Sequence, residues 1–158
     1  MKYPETATPY TATYLIFRKA EKIALLLRKN TPWMNNYWGL PSGKVDRKGG
    51  DGSESFKAAG CHEGLEEVGV KIEPTDLKHV LTVHRNEPEE DMVWVDVYFE
   101  VTKWKGELYN AEPEIHERLD LFDPNNLPIN IVPSVKAGIE AIENGKTYIE
   151  YGWEGSGA

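Results

Sequence analysis

Glu63, Glu66 and Glu67 stand at i, i+3 and i+4 of a stretch with helical character. At about 100° per residue their carboxylates fall within roughly a 100° arc of one helix face. Like charges at that spacing repel, so such a trio suits a solvated face or a hard divalent cation. The neighbours favour the cation. Phe56, Ala59 and Gly60 share the acidic arc, while Ala58, Cys61, Leu65 and Val68 on the far side look like core. A helix apolar on part of both sides is expected to be sandwiched, and carboxylates enclosed there need a partner. Gly60 and Gly64 each cost about 1 kcal/mol relative to alanine inside a helix, and close backbone approach would be the reason to keep them.

The elements that must position this trio are legible in outline. The spacing predicts a helix ending near Val68, with Ser53 as its N-terminal cap and Gly69 in the left-handed position beyond its end. Upstream, residues 11–18 and 23–28 read as strands separated by a turn at 19–22, and residues 30–37 as a loop. Downstream, 70–72 is short and extended, 79–85 and 92–102 read as strands around an acidic turn, and 119–122 as a last short strand. Residues 133–143 have a helical face of Val135, Ile139 and Ile142, with Gly145 beyond the end; residues 146–158 are expected to form a partly frayed tail. This order indicates a mixed sheet between helices, and pattern alone gives α/β or α+β.

The run from His62 to Val70, HEGLEEVGV, resembles the second half of the Nudix box, R-E-U-x-E-E-x-G-U with U aliphatic. Glu54 stands the required eight positions before His62, and Leu40 to Val45, LPSGKV, resembles the lead-in, where a glycine opens the box. The chain departs from that pattern in three places. Ten residues separate Gly43 from Glu54, five more than the pattern has, so 47–52 reads as an inserted loop. His62 replaces the box arginine, and Gly64 replaces an aliphatic residue.

The resemblance implies an α/β fold, a Nudix-type α/β/α sandwich with a mixed β-sheet, as a single Nudix-like domain over 1–158. It implies Mg²⁺-dependent cleavage of a diphosphate linkage in a nucleoside diphosphate derivative or nucleoside triphosphate, with Mn²⁺ able to substitute. The matching positions assign the metal to Glu63, Glu66 and Glu67, with the backbone carbonyl of Ser42 as a further ligand. Glu63, or Glu112 in the stretch EPEIHE that resembles the catalytic loop of the family's nucleoside triphosphate hydrolases, would orient or deprotonate the water. Lys44, Arg28 and Lys29 are the candidate phosphate contacts, with Arg85 a weaker one. Asn130 is assigned to the base by analogy with purine-reading members. Trp33, Tyr37, Trp38, Trp94, Tyr98 and Trp153 are available for stacking. Glu54 reads as structural, steadying the start of the helix. The alternative is a Nudix-fold ligand-binding or regulatory module that has lost turnover.

Composition narrows the classes. A chain of 158 residues with net charge −8 disfavours non-specific binding to nucleic acid polymers or anionic membranes. One cysteine excludes an internal disulfide and fits the cytoplasm, and Cys61 reads as a buried structural thiol. No run is long and apolar enough to span a membrane. The expected partner is a small nucleotide, bound by a monomer or homodimer. His62-Glu63-Gly64-Leu65-Glu66 begins like the zinc-peptidase H-E-x-x-H, but Glu66 stands where the second histidine belongs. The remaining histidines, His79, His84 and His116, share no ligand spacing and default to structural or solvated roles.

Overall fold

The structure is a computed structural model and describes residues 5–45 and 54–154. Nine strands and two α-helices follow one another among them: β1 (Tyr10–Ile16), β2 (Arg18–Lys19), β3 (Lys22–Arg28), β4 (Trp38–Gly39), β5 (Ser42–Lys44), α1 (Phe56–Val68), β6 (Leu77–Glu87), β7 (Met92–Val101), β8 (His116–Phe122), α2 (Pro133–Glu143) and β9 (Tyr148–Tyr151).

A five-stranded mixed sheet has the order β5-β1-β7-β6-β9, with β1 parallel to β7 and β9 parallel to β6. A smaller antiparallel sheet is built on β3, which pairs with β2, β4 and β8. Alternation along the strands divides the core in two. Ala12, Tyr14 and Ile16 of β1 join Trp94 and Tyr98 of β7 on the α2 side, with Val135 and Ile139. Leu15 and Phe17 join Phe99 and Val101 on the α1 side, with Val68 and Ile72. The large sheet is thereby sandwiched between the helices, the α/β/α arrangement expected from the sequence.

Several elements differ from expectation for local reasons. The cap of α1 is Ser55, whose hydroxyl accepts from Ala58 N–H at 3.0 Å; Ser53 and the inserted loop lie outside the described residues. Gly69 closes the helix in the left-handed region at φ 70°. Leu65 is 60% exposed, not core, and Ala58 and Cys61 are only half-buried. The inward face consists of Ala59, Gly60, Gly64, Glu67 and Val68. A Cβ on Gly60 would lie 3.1–3.3 Å from Thr13, Leu77 and Leu15, and one on Gly64 would overlap Ile72. Close approach through the glycines, not burial of Leu65, sets the helix's orientation. β5 and β9 were not anticipated, because short strands take their definition from the partner. Tyr148–Tyr151, expected within a frayed tail, pair with β6, and the Trp153 indole donates to His84 O at 2.9 Å.

Candidate active site

Two features of local folding bring the site together. β5 lies antiparallel to β1 and passes its backbone under α1. The Ser42 N–H donates to Glu67 Oε1 at 2.6 Å, and a Cβ on Gly43 would overlap the Glu63 carboxylate. A side chain at that position would displace the Glu63 carboxylate. On the other side, a register shift between Leu26 and Arg28 in the β3–β8 pair sets Arg28 opposite His116. The turn leading into β8 is fixed by Asn110, whose Oδ1 accepts from Glu112 N–H at 3.2 Å and whose Nδ2 donates to His116 O at 2.8 Å.

These features converge on Glu67. Its carboxylate is buried, 7% exposed, and its Oε2 lies 3.4 Å from His116 Nε2. Donor atoms of Glu67, Glu112 and His116 all lie within 4.8 Å of one another. Burial pushes the Glu67 carboxyl well above the usual range; the Ser42 N–H and Arg28 oppose this, while Glu63 and Glu112 reinforce it. The Glu112 carboxyl is raised too, by burial and then by Glu66 and Glu114. Burial, and then Arg28, brings the His116 imidazole down to about 4, so it is neutral near pH 7. Crowded carboxyls that feel one another and are partly desolvated are a donor set that fits a divalent cation. Glu66 is exposed on the outer side of the group.

Beside this group a cleft of about 580 Å³ opens on the face of the large sheet away from α1. Its rim includes Ser42, Gly43 and Lys44 of β5, so the backbone that receives Glu63 and Glu67 also borders the cleft. Trp33, Trp94 and Tyr14 supply its aromatic walls. Arg28 donates to Trp33 O at 3.1 Å and stacks on that indole at 5.3 Å. Lys44 Nζ lies 5.9 Å from the centre of the Trp94 ring. Arg85, 4% exposed, holds Asp96 through two bonds of 2.6 and 3.2 Å and Glu87 through a third of 3.0 Å, with its guanidinium 4.8 Å from Trp94. It anchors the cleft floor.

Of the residues singled out in the sequence, Glu67 and Glu112 come within 4.8 Å of one another together with His116, and Ser42 bonds Glu67. Glu63 lies against Gly43 and Glu66 is exposed, both outside that close group. Arg28, Lys44 and Arg85 line the adjoining cleft. Lys29 and Asn130 are not among the cleft's lining residues. Lys29 Nζ lies 3.5 Å from Glu117, and Asn130 Nδ2 donates to Asn36 O at 2.7 Å. Of the aromatic candidates only Trp33 and Trp94 reach the cleft; Trp38 and Tyr98 are core. His62 bonds Glu54 through Nδ1 at 2.7 Å, so the two positions meet across the first turns of α1. Sequence reasoning missed His116. Its one signal was the four-residue interval from Glu112, which a turn brings to one side.

A family model of the Nudix domain matches residues 7–141. The chain belongs to the Nudix family. Among solved structures it is similar to a MutT Nudix hydrolase from Burkholderia pseudomallei, at 27% identity and TM-score 0.73, over 85% of this chain and 98% of that one. A MutT protein from Methanosarcina mazei Go1 shares the fold at 16% identity and TM-score 0.72, over 89% and 97%. So does an ADP-ribose pyrophosphatase from Streptococcus suis 89-1591, at 18% identity and TM-score 0.57, over 91% and 98%. No curated protein matches the chain in sequence. No described helix is long and apolar enough to cross a membrane.

Proposed function

We propose that the chain hydrolyses a diphosphate linkage in a nucleoside diphosphate derivative or nucleoside triphosphate, with Mg²⁺ as cofactor and Mn²⁺ able to replace it. The observation that carries this reading is the shared β5 backbone: it receives Glu63 and Glu67 from α1 and also forms the rim of an aromatic, basic cleft. Glu63, Glu66 and Glu67, with the Ser42 carbonyl, would hold the metal. When bound, it neutralises charge on the diphosphate oxygens and makes a water easier to deprotonate. Glu112, with its carboxyl raised by burial and by Glu66, is suited to take that proton. Arg28 and Lys44 are placed to meet the phosphates, and Trp33 or Trp94 to stack on the base. Lys29 and Asn130 would act only at the edge of such a complex. The neighbour named as an ADP-ribose pyrophosphatase makes a nucleoside diphosphate derivative a reasonable first substrate. In this reading one domain, as monomer or homodimer, acts on a freely diffusing nucleotide in the cytoplasm.

The test is phosphate or nucleotide release from a panel of nucleoside triphosphates and dinucleotides with Mg²⁺, comparing the wild type with Glu66→Gln. Glu66 is exposed, so the variant should keep its melting temperature. Loss of about 100-fold or more in turnover is expected, the scale typical of removing a charge-stabilising group. Equal rates in the two proteins would remove Glu66 from the metal site.

A further inference from the structure

The Glu112–His116 turn contains a side chain that the reading above does not use. His116 is 3% exposed, and its Nδ1 has no hydrogen-bond partner among the described residues. Its Nε2 lies 3.4 Å from Glu67 Oε2. A charge-assisted hydrogen bond would be shorter, about 2.7–2.9 Å. The nitrogen that faces the acids, Nε2, is thus buried beside a carboxylate at a separation too long for a good hydrogen bond. The turn that holds it is not loose. Asn110 fixes the Glu112 N–H and the His116 carbonyl, and the His116 N–H closes on Glu112 O at 3.1 Å.

The spacing matches a different kind of bond. Two ligands on adjacent positions of one cation, each at about 2.0–2.2 Å, lie about 2.9–3.6 Å apart. The 3.4 Å between His116 Nε2 and Glu67 Oε2 falls in that interval, and Glu112 brings a third donor within 4.8 Å of both.

We propose that His116 is a nitrogen ligand of the divalent cation, joining Glu67 in binding it, so that the site is mixed nitrogen and oxygen, with Glu112 beside it as the proton acceptor. This rests on the reading that a cation occupies the acidic cluster, and it changes which cation is favoured. An all-carboxylate site suits Mg²⁺, whereas an imidazole adds affinity for Mn²⁺, Co²⁺ or Zn²⁺ relative to Mg²⁺.

Substoichiometric Mn²⁺ added to the full chain and read by electron spin-echo envelope modulation tests this directly. Expected is a ¹⁴N modulation of coordinated imidazole that changes to the ¹⁵N pattern when the histidines are ¹⁵N-labelled, and that disappears in His116→Gln. The chain has four histidines. A triple variant, His62→Gln with His79→Gln and His84→Gln, should keep the signal and so assigns it to His116 even if His116→Gln does not fold. Titration of His116→Gln should show Co²⁺ affinity reduced by about 10-fold or more, with Mg²⁺ much less affected. Mn²⁺ bound without nitrogen modulation, or a modulation lost in the triple variant, overturns the inference and leaves the proposed hydrolase standing. A wild-type chain that binds no Mn²⁺ overturns both.

Discussion

The two helices that flank the large sheet have opposite relations to it. α2 buries Val135, Ile139 and Ala141 in the core and begins with proline at its first position, and its job is packing. α1 turns Gly60, Gly64 and the Glu67 carboxyl inward and leaves Leu65 60% exposed. A helix selected only for stability would face the other way. The inward face of α1 is instead shaped to bring a backbone close and to seat an acid against β5 and the β8 turn. Stability and chemistry are divided between the helices, and substitutions should separate them.

The largest separation is expected from Glu67→Gln. The amide oxygen can still accept the Ser42 N–H, so the fold should hold. Burial, Glu63 and Glu112 all disfavour the native charge, so the metal-free melting temperature should be unchanged or raised. Turnover should fall by about 100-fold or more. An active variant would mean that the buried acid of α1 serves the core after all. Ile139→Ala on α2 should do the reverse. Deleting most of a side chain that is 1% exposed should cost about 2–5 kcal/mol in urea denaturation, while specific activity of the folded fraction stays near wild type.

Glycines sharpen the contrast at a smaller scale. In Gly138→Ala the new Cβ would lie 2.7–2.9 Å from the hydroxyl and ring of Tyr98, which is fully buried and stacked on Tyr14 at 4.6 Å. A loss of about 1–3 kcal/mol is expected despite the better helix propensity. In Gly64→Ala the first obstacle is the terminal methyl of Ile72, which can rotate away, so denaturation should show a smaller loss than for Gly138→Ala. The reverse order would mean that α1 is the more tightly fitted helix. Smallest of all, Leu65→Gln should change stability by no more than about 0.5 kcal/mol. A large loss there would place Leu65 in a contact outside the described residues.

His62 belongs to the same comparison. It occupies the arginine position of the Nudix box, and its bond to Glu54 at 2.7 Å ties the residue before the N-cap to the second turn of the helix. The substitution retains a hydrogen-bond donor where the box has a cation.

Most of the site's components were legible because they are local. The i, i+3, i+4 acids, the glycine that opens the box and the EPEIHE loop are short-range patterns, and a helix or turn converts each directly into geometry. What was misread depends on contacts distant in sequence. Leu65 looks like core until the glycines bring α1 down on Leu15 and Ile72. Arg85 reads only as a weaker phosphate contact, and it is β7 that holds it at the cleft through Asp96. His116 looks isolated until the β3–β8 register shift sets it opposite Arg28 and its imidazole beside Glu67.

By itself, then, the sequence determined the family, the acidic helix and the order of the longer elements, since each of these is written within a few helical turns or a single loop. The tertiary structure alone decided which face of α1 is buried, which cations and indoles share the cleft, and that a histidine joins the acids. The reason is physical: close approach, register and burial are properties of pairs of segments, and no single segment carries them.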